Sequence, residues 1–116
     1  MNDPMEVVHA HVAAFNSRDI DALMATFTPD ATLTSADGVA VGRDDLDTLF
    51  RDAFEAPLRV TMLVRSALAV DDTVACELTE LLDFEDARHQ IDLAGFFTVR
   101  DGLVSSIRIY RDRADD

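Results

Sequence analysis

From Thr73 onward the chain alternates apolar and polar residues with a period of two, broken only by short turn signals. Val74, Cys76, Leu78, Glu80, Leu82 and Phe84 fall on one face of an extended segment, and Glu77, Thr79 and Asp83 on the other. Glu85-Asp86-Ala87-Arg88 reads as a hairpin connection. His89 to Val99 then repeats the pattern with Ile91, Leu93, Gly95, Phe97 and Val99 together, and Asp101-Gly102 turns the chain into a last strand, Leu103 to Arg111. Upstream, Leu58 to Val70 is rich in apolar and β-branched residues, and Asp71-Asp72 marks its turn. Strands joined this tightly pair antiparallel, because a parallel pair needs a crossover of about a dozen residues or more.

The first half is helical in period. Asp3-Pro4-Met5-Glu6 carries an N-cap acid, a proline suited to the first turn and a second acid. Val8, His11 or Val12, and Phe15 follow on one face. Asn16-Ser17-Arg18 breaks that pattern, and Asp19 caps a second short helix with Ile20, Leu23, Met24 and Phe27, which Pro29-Asp30 ends. A short strand is expected over Ala31 to Ser35, a turn at Asp37-Gly38, and an extended piece at Val39 to Val41. A third helix is expected from Arg43 to Glu55, with Leu46, Leu49, Phe50, Ala53 and Phe54 buried and Pro57 as its stop. Helices first and a meander afterwards make an α+β domain, a single one over residues 1–116 with its N-terminal helices packed on a curved antiparallel sheet.

At 116 residues and 48% hydrophobic, the chain is long enough for one core without metal or disulfide staples. No stretch reaches the roughly 20 apolar residues of a membrane span. The N-terminus lacks the basic and apolar regions of a secretion signal. The lone Cys76 has no intrachain partner for a disulfide, so a cytoplasmic location is expected. Every basic residue is arginine, and 10 of them face 23 acids for a net charge of -13. Such a charge repels nucleic-acid backbones and anionic membranes, so neither is expected as a partner. It also leaves no lysine for a Schiff base or a phosphate loop.

The run from Phe15-Asn16-Ser17-Arg18-Asp19-Ile20-Asp21-Ala22-Leu23 through Phe27-Thr28-Pro29-Asp30-Ala31-Thr32-Leu33 resembles the opening of the nuclear transport factor 2-like (NTF2-like) superfamily, in its SnoaL-like and ketosteroid-isomerase-like branch. Gly42-Arg43-Asp44-Asp45-Leu46 and the final Asp101-Gly102-Leu103-Val104 through Ile107-Arg108-Ile109-Tyr110 resemble later signatures, so the likeness spans about Met5 to Arg111. It implies a cone-like domain with a ligand cavity open at one end, and a homodimer through the sheet. It also implies that His11 stands where ketosteroid isomerases carry an oxyanion-stabilising tyrosine, Ser35 where they carry the base aspartate, and Gly95 near their second acid. Serine cannot shuttle a proton between two carbons as that aspartate does, so standard ketosteroid isomerisation is not expected. Asp92 is three residues from Gly95 and points to the opposite face.

The residues then offer a catalytic pair. His11 shares the buried helix face and its ordinary pKa suits proton transfer, although a buried histidine bonded to a carbonyl explains it as well. Glu80 interrupts an apolar strand face, where a carboxylate must be paired, hydrogen-bonded or held at a cavity; a sheet edge or dimer contact is the alternative. Arg111 continues the Ile107 and Ile109 face, to hold a ligand oxygen or to bond Glu80. The expected pocket walls are Phe15, Phe27, Ser35, Phe50, Phe54, Phe84, Gly95 and Phe97, with plain core as the competing role for the aromatics. Tyr110 is offset onto the outer face, and Asp92 and Glu77 face solvent or a partner. Phosphate-loop, dinucleotide and metalloprotease motifs are absent, so no cofactor is expected. No metal is expected either, because His9 and His11 are two apart and do not share a helix face. Two functions compete: a cofactor-independent isomerase, cyclase or dehydratase acting on a small apolar ligand, and a non-catalytic dimeric domain that binds a ligand or a protein.

Overall fold

The computed structural model describes residues 3–111. Their order is α1 (Pro4–Ser17), α2 (Ile20–Met24), β1 (Phe27–Ser35), β2 (Gly38–Val41), α3 (Gly42–Glu55), β3 (Arg59–Val70), β4 (Thr73–Phe84), β5 (Ala87–Arg100) and β6 (Leu103–Arg111). The six strands form one curved sheet in the order β2-β1-β6-β5-β4-β3, with the helices packed on one face. The domain is α+β, as the alternation and the resemblance imply.

Local chemistry sets the boundaries. The Asp3 carboxylate accepts the Met5 N–H at 3.0 Å and Pro4 occupies the first turn of α1. Arg18 stops α1 in a left-handed conformation, φ 59° and ψ 35°, and Asp19 starts α2 by accepting the Ala22 N–H at 3.1 Å. Gly42 opens α3 at φ +86°, a conformation that a side chain resists, and the Asp45 carboxylate reaches back to the Val41 N–H at 3.1 Å. Phe27, expected at the end of the second helix, instead begins β1. Pro29 therefore lies within a strand. Its neighbourhood is where the ladder to β6 breaks, between Phe27 and Thr32, an irregularity that tolerates a residue without an N–H.

The sheet is mixed where a purely antiparallel one was expected. β3, β4, β5 and β6 form the antiparallel meander, but β1 pairs with β6 in parallel, Leu33 opposite Ile107 and Thr34 opposite Arg108. The connection from β1 back to β6 runs through β2, α3 and the whole meander, so no short turn forces antiparallel pairing there. Within β3 the register to β4 slips between Val64 and Ser66. Met62 and Val64 before the slip, and Ala67 after it, all pack against the core. The extra residue, Arg65, inverts the alternation that a regular strand would have kept.

One side chain fastens the helical layer to the sheet edge. The Asn16 amide donates to the Met62 carbonyl and accepts the Met62 N–H, both at 2.8 Å. Met62 lies on edge strand β3, so Asn16 stands in for the strand that is missing there. Arg18, two residues on, donates to the Phe54 carbonyl and lies 5.1 Å from the Phe54 ring centroid, joining the ends of α1 and α3. Asn16→Ala should lower unfolding stability by about 2 kcal/mol, since both Met62 groups lose a partner at once. Urea denaturation monitored by circular dichroism measures it, and an unchanged midpoint would mean that water replaces the clamp without cost.

Candidate active site at the open end of the sheet

The core-facing side of the sheet divides into a packed end and an open end. At the packed end His11 is buried, its ring edge-on to Phe27 at 5.2 Å and to Phe97 at 5.6 Å between centroids. His11 Nδ1 lies 2.9 Å from Thr26 Oγ1, whose own hydroxyl donates to the Leu23 carbonyl at 2.7 Å. The threonine hydrogen is thus engaged, so Nδ1 carries the proton and donates it. Burial among aromatic rings lowers the His11 pKa from 6.5 to about 4, so the imidazole is neutral near pH 7. Gly95 is packed too: a Cβ there would meet Leu78 Cδ1 at 3.0 Å, Phe97 Cε1 at 3.1 Å and Ile109 Cδ1 at 3.3 Å. Phe27, Phe50 and Phe97 are buried, with Phe27 stacked on Phe50 at 6.1 Å.

Glu80 belongs to the other end. Phe97, which touches His11, pairs with Val74, and Glu80 follows six residues later on the same strand. At about 3.3 Å per residue that puts roughly 20 Å of β4 between Val74 and Glu80. The structure does not bring His11 and Glu80 together: the imidazole bonds Thr26 and the carboxylate bonds Arg111. Arg111 Nη2 donates to Glu80 Oε1 at 3.3 Å, and Nη1 lies 3.6 Å from Asp37 Oδ2 on the β1–β2 turn. Glu80 is 13% exposed, against 84% for Asp37, so the Glu80 half of this bridge is the less screened.

Half-buried apolar side chains surround that bridge. Met62 pairs with Glu80 from β3 and Ile91 from β5; Ile109 precedes Arg111 on its face of β6; Leu33 and Ala40 approach from β1 and β2. Phe15 and Phe54 add half-buried rings from α1 and α3, 5.6 Å apart. Ser35 shares the Leu33 face, and its hydroxyl oxygen accepts the Asp37 N–H at 3.2 Å. Leu33, Ser35, Asp37, Ala40 and Leu49 line an open depression of about 160 Å³ beside the bridge. Phe84 lies apart, exposed at the end of β4.

Asp37 is the member of this group that sequence reasoning missed. It reads as a turn residue beside Gly38, and only the parallel β1–β6 pairing carries the turn to Arg111. Cys76 is buried on the core face, where burial pushes its thiol pKa up and leaves it poorly suited as a nucleophile. Asp92 and Glu77 lie on the outer face, bonded by Thr79 at 2.9 Å and Ser66 at 2.7 Å. No group of three or more metal-ligating side chains occurs among the described residues.

The depressed His11 pKa fixes a direction of pH dependence. The unfolded imidazole takes its proton below about 6.5 and the native one only below about 4. The unfolded chain therefore binds more protons between those values, and stability is full above the window and declines through it as pH falls. The contribution lost at the acid end is on the order of 3 kcal/mol. His11→Asn keeps a donor for Thr26 but does not titrate, and it should flatten the stability profile between pH 6.5 and 4 in urea titrations. An unaltered slope would assign the acid sensitivity to the carboxylates.

Solved structures share this architecture. The LEH-like epoxide hydrolase of M. tuberculosis is 24% identical with a TM-score of 0.84, over 94% of this chain and 82% of that one. The epoxide hydrolase/cyclase-like enzyme SalBIII, from salinomycin pyran-ring formation, is 25% identical with a TM-score of 0.83, over 94% and 90%. A protein with a ketosteroid isomerase-like fold from Catenulispora acidiphila, in complex with trimethylamine, is 22% identical with a TM-score of 0.81, over 90% and 84%. No curated protein matches the chain. The family model of the SnoaL-like domain matches residues 8–107, nearly the whole of the fold described above, and the chain belongs to that family within the NTF2-like superfamily.

Proposed function

We propose that this protein binds a small apolar, oxygen-bearing molecule at the open end of the sheet and carries out a cofactor-independent proton transfer on it. The observation that supports this reading is the Glu80–Arg111 pair, a carboxylate and a guanidinium set among half-buried apolar side chains. Glu80 takes a proton from a carbon beside the ligand's carbonyl, and an Arg111 N–H holds the oxygen on which negative charge collects. The proton then returns from Glu80 to another atom of the same ligand, so the step is an isomerisation, or opens a cyclisation or dehydration, and needs no oxidant or metal. His11 has no part in it. A neutral imidazole bonded to Thr26 and packed on Phe27 and Phe97 orders the packed end instead. The two neighbours described as epoxide hydrolases or cyclases are in keeping with acid–base chemistry on apolar oxygenated ligands.

A homodimer through the outer sheet face completes the reading. Leu63, Leu68, Val70, Phe96 and Tyr110 are exposed, and Phe96 and Tyr110 meet edge-on at 5.8 Å. A single-residue apolar exposure is ordinary, but several on one sheet face mark an association surface. The proposed setting is the cytoplasm, in keeping with a free, buried Cys76. No helix among the described residues is long and apolar enough to cross a membrane.

Hydrogen–deuterium exchange at the carbon beside the carbonyl of 2-tetralone, followed by NMR in D2O, tests the chemistry. The protein should accelerate it, and Glu80→Gln should slow the catalysed rate about a hundredfold or more, while His11→Asn leaves it unchanged. Bound 2-tetralone without accelerated exchange would leave the non-catalytic binding module as the function. Sedimentation velocity tests the assembly: the wild type should run as a dimer at micromolar concentration, and Phe96→Glu with Tyr110→Glu as a monomer. A monomeric wild type would remove the outer face from the proposal.

A further inference from the structure

We infer that the depression between the β1–β2 turn and α3 seats one apolar ring of about benzene's size, and that its ligand offers Arg111 a neutral oxygen in preference to a carboxylate. This narrows the ligand-binding reading above and rests on it. The depression measures about 160 Å³. An apolar cavity of about 150 Å³ accepts benzene, so a single six-membered ring fits and a polycyclic skeleton must extend beyond it. Its apolar surface comes from Leu33 and Ala40, which are cross-strand partners, from the exposed Val39, and from Leu49 on α3. Leu49, expected on the buried side of α3, is instead 43% exposed at the edge of the face that Leu46 and Phe50 bury, and a ring beside it would cover it.

The rim decides the ligand's polar group. Ser35 Oγ already accepts the Asp37 N–H, so its hydroxyl hydrogen is a donor to the ligand. Arg111 brings guanidinium N–H groups to the rim at Asp37, whose carboxylate its Nη1 approaches to 3.6 Å. Two donors suit a carbonyl, ether or hydroxyl oxygen. A carboxylate would also take those bonds, but it would meet Asp37 and Glu80, two negative groups against the single positive Arg111. The net charge of -13 adds a repulsive field of the same sign.

Two other grooves fit a ligand less well. The one of about 340 Å³ beside α1 includes Thr26, whose hydroxyl is committed to His11 and Leu23. The one of about 320 Å³ on the outer face includes Glu77 and Asp92, which Ser66 and Thr79 already bond.

The test is methyl-labelled NMR with benzyl alcohol and benzoate as probes, at low ionic strength and pH 7. Benzyl alcohol should shift the methyl signals of Leu33, Ala40 and Leu49, and benzoate should bind at least about threefold more weakly. Ala40→Leu and Leu49→Trp, which fill the depression from opposite walls, should each abolish the benzyl alcohol shifts. Asp37→Asn should narrow the gap between the two probes. Equal binding of both probes, or tighter binding of benzoate, would overturn the charge preference. Shifts elsewhere, or shifts that survive both filling variants, would overturn the ring seat. Accelerated tetralone exchange in the same protein would then show that the proton-transfer reading stands without this subsite. Benzyl alcohol seated in the depression with no exchange would show the reverse.

Discussion

The parallel ladder between β1 and β6 is the contact on which the rest of the molecule depends. Among the described residues it is the only pairing that joins the β1–β2 hairpin to the four-stranded meander, and it places β6 in the middle of the sheet. With Thr34 opposite Arg108, the turn after Ser35 arrives beside the end of β6, where Arg111 bridges Asp37 and Glu80. Remove that ladder and Asp37, Ser35 and the Leu33–Ala40 floor would no longer stand across from the meander. The β6 strand brings its own reward for this position, because Val104 and Ile107 are both buried there, with strands on either side.

Charge in this chain is organised through arginine. Arg18 donates to the Phe54 carbonyl at the end of α3 and Arg43 to the Phe27 carbonyl at the start of β1, so two guanidinium groups tie helices to their neighbours through backbone oxygens. Arg88 makes a two-pronged pair with Asp83, at 2.6 and 3.0 Å, across the β4–β5 hairpin. A planar fork with several donors does this better than an ammonium group, which gives physical sense to a chain with ten arginines and no lysine. Arg111 differs from these anchors in facing an apolar surround, with its two acids sharing it at 3.3 and 3.6 Å. Bonds of that length leave its remaining donors open to a third oxygen.

The two ends of the core-facing surface serve different purposes for a physical reason. At the packed end aromatic rings fill the space around His11, and low polarity keeps the imidazole neutral. Without protonation at working pH, a histidine there contributes shape and one hydrogen bond to Thr26. At the open end Met62, Ile91 and Ile109 stay half-covered, and the Glu80 carboxylate accepts from Arg111 among them. A site for proton transfer needs that mixture of apolar walls and a partnered carboxylate.

By itself the sequence determined the elements whose signals are local. The caps at Asp3 and Asp19, the glycine that opens α3, the turns at Asp71-Asp72 and Asp101-Gly102, and the period-two faces of β4 and β5 all depend on a few neighbouring residues, and all are present. The family signature carried the fold further than any periodicity. Tertiary structure decided what depends on residues distant in the chain: the parallel sense of β1 and β6, the slip at Arg65, and how far along the core side His11 and Glu80 find their separate partners, Thr26 and Arg111. Helical spacing assigned His11 and strand alternation assigned Glu80 to the core side, but neither can count how far along that side each one lies. That distance is set by strand register, which comes from many weak pairings made at once. For the same reason the Asp37–Arg111–Glu80 bridge, built from a turn, the end of β6 and the interior of β4, was invisible as a motif.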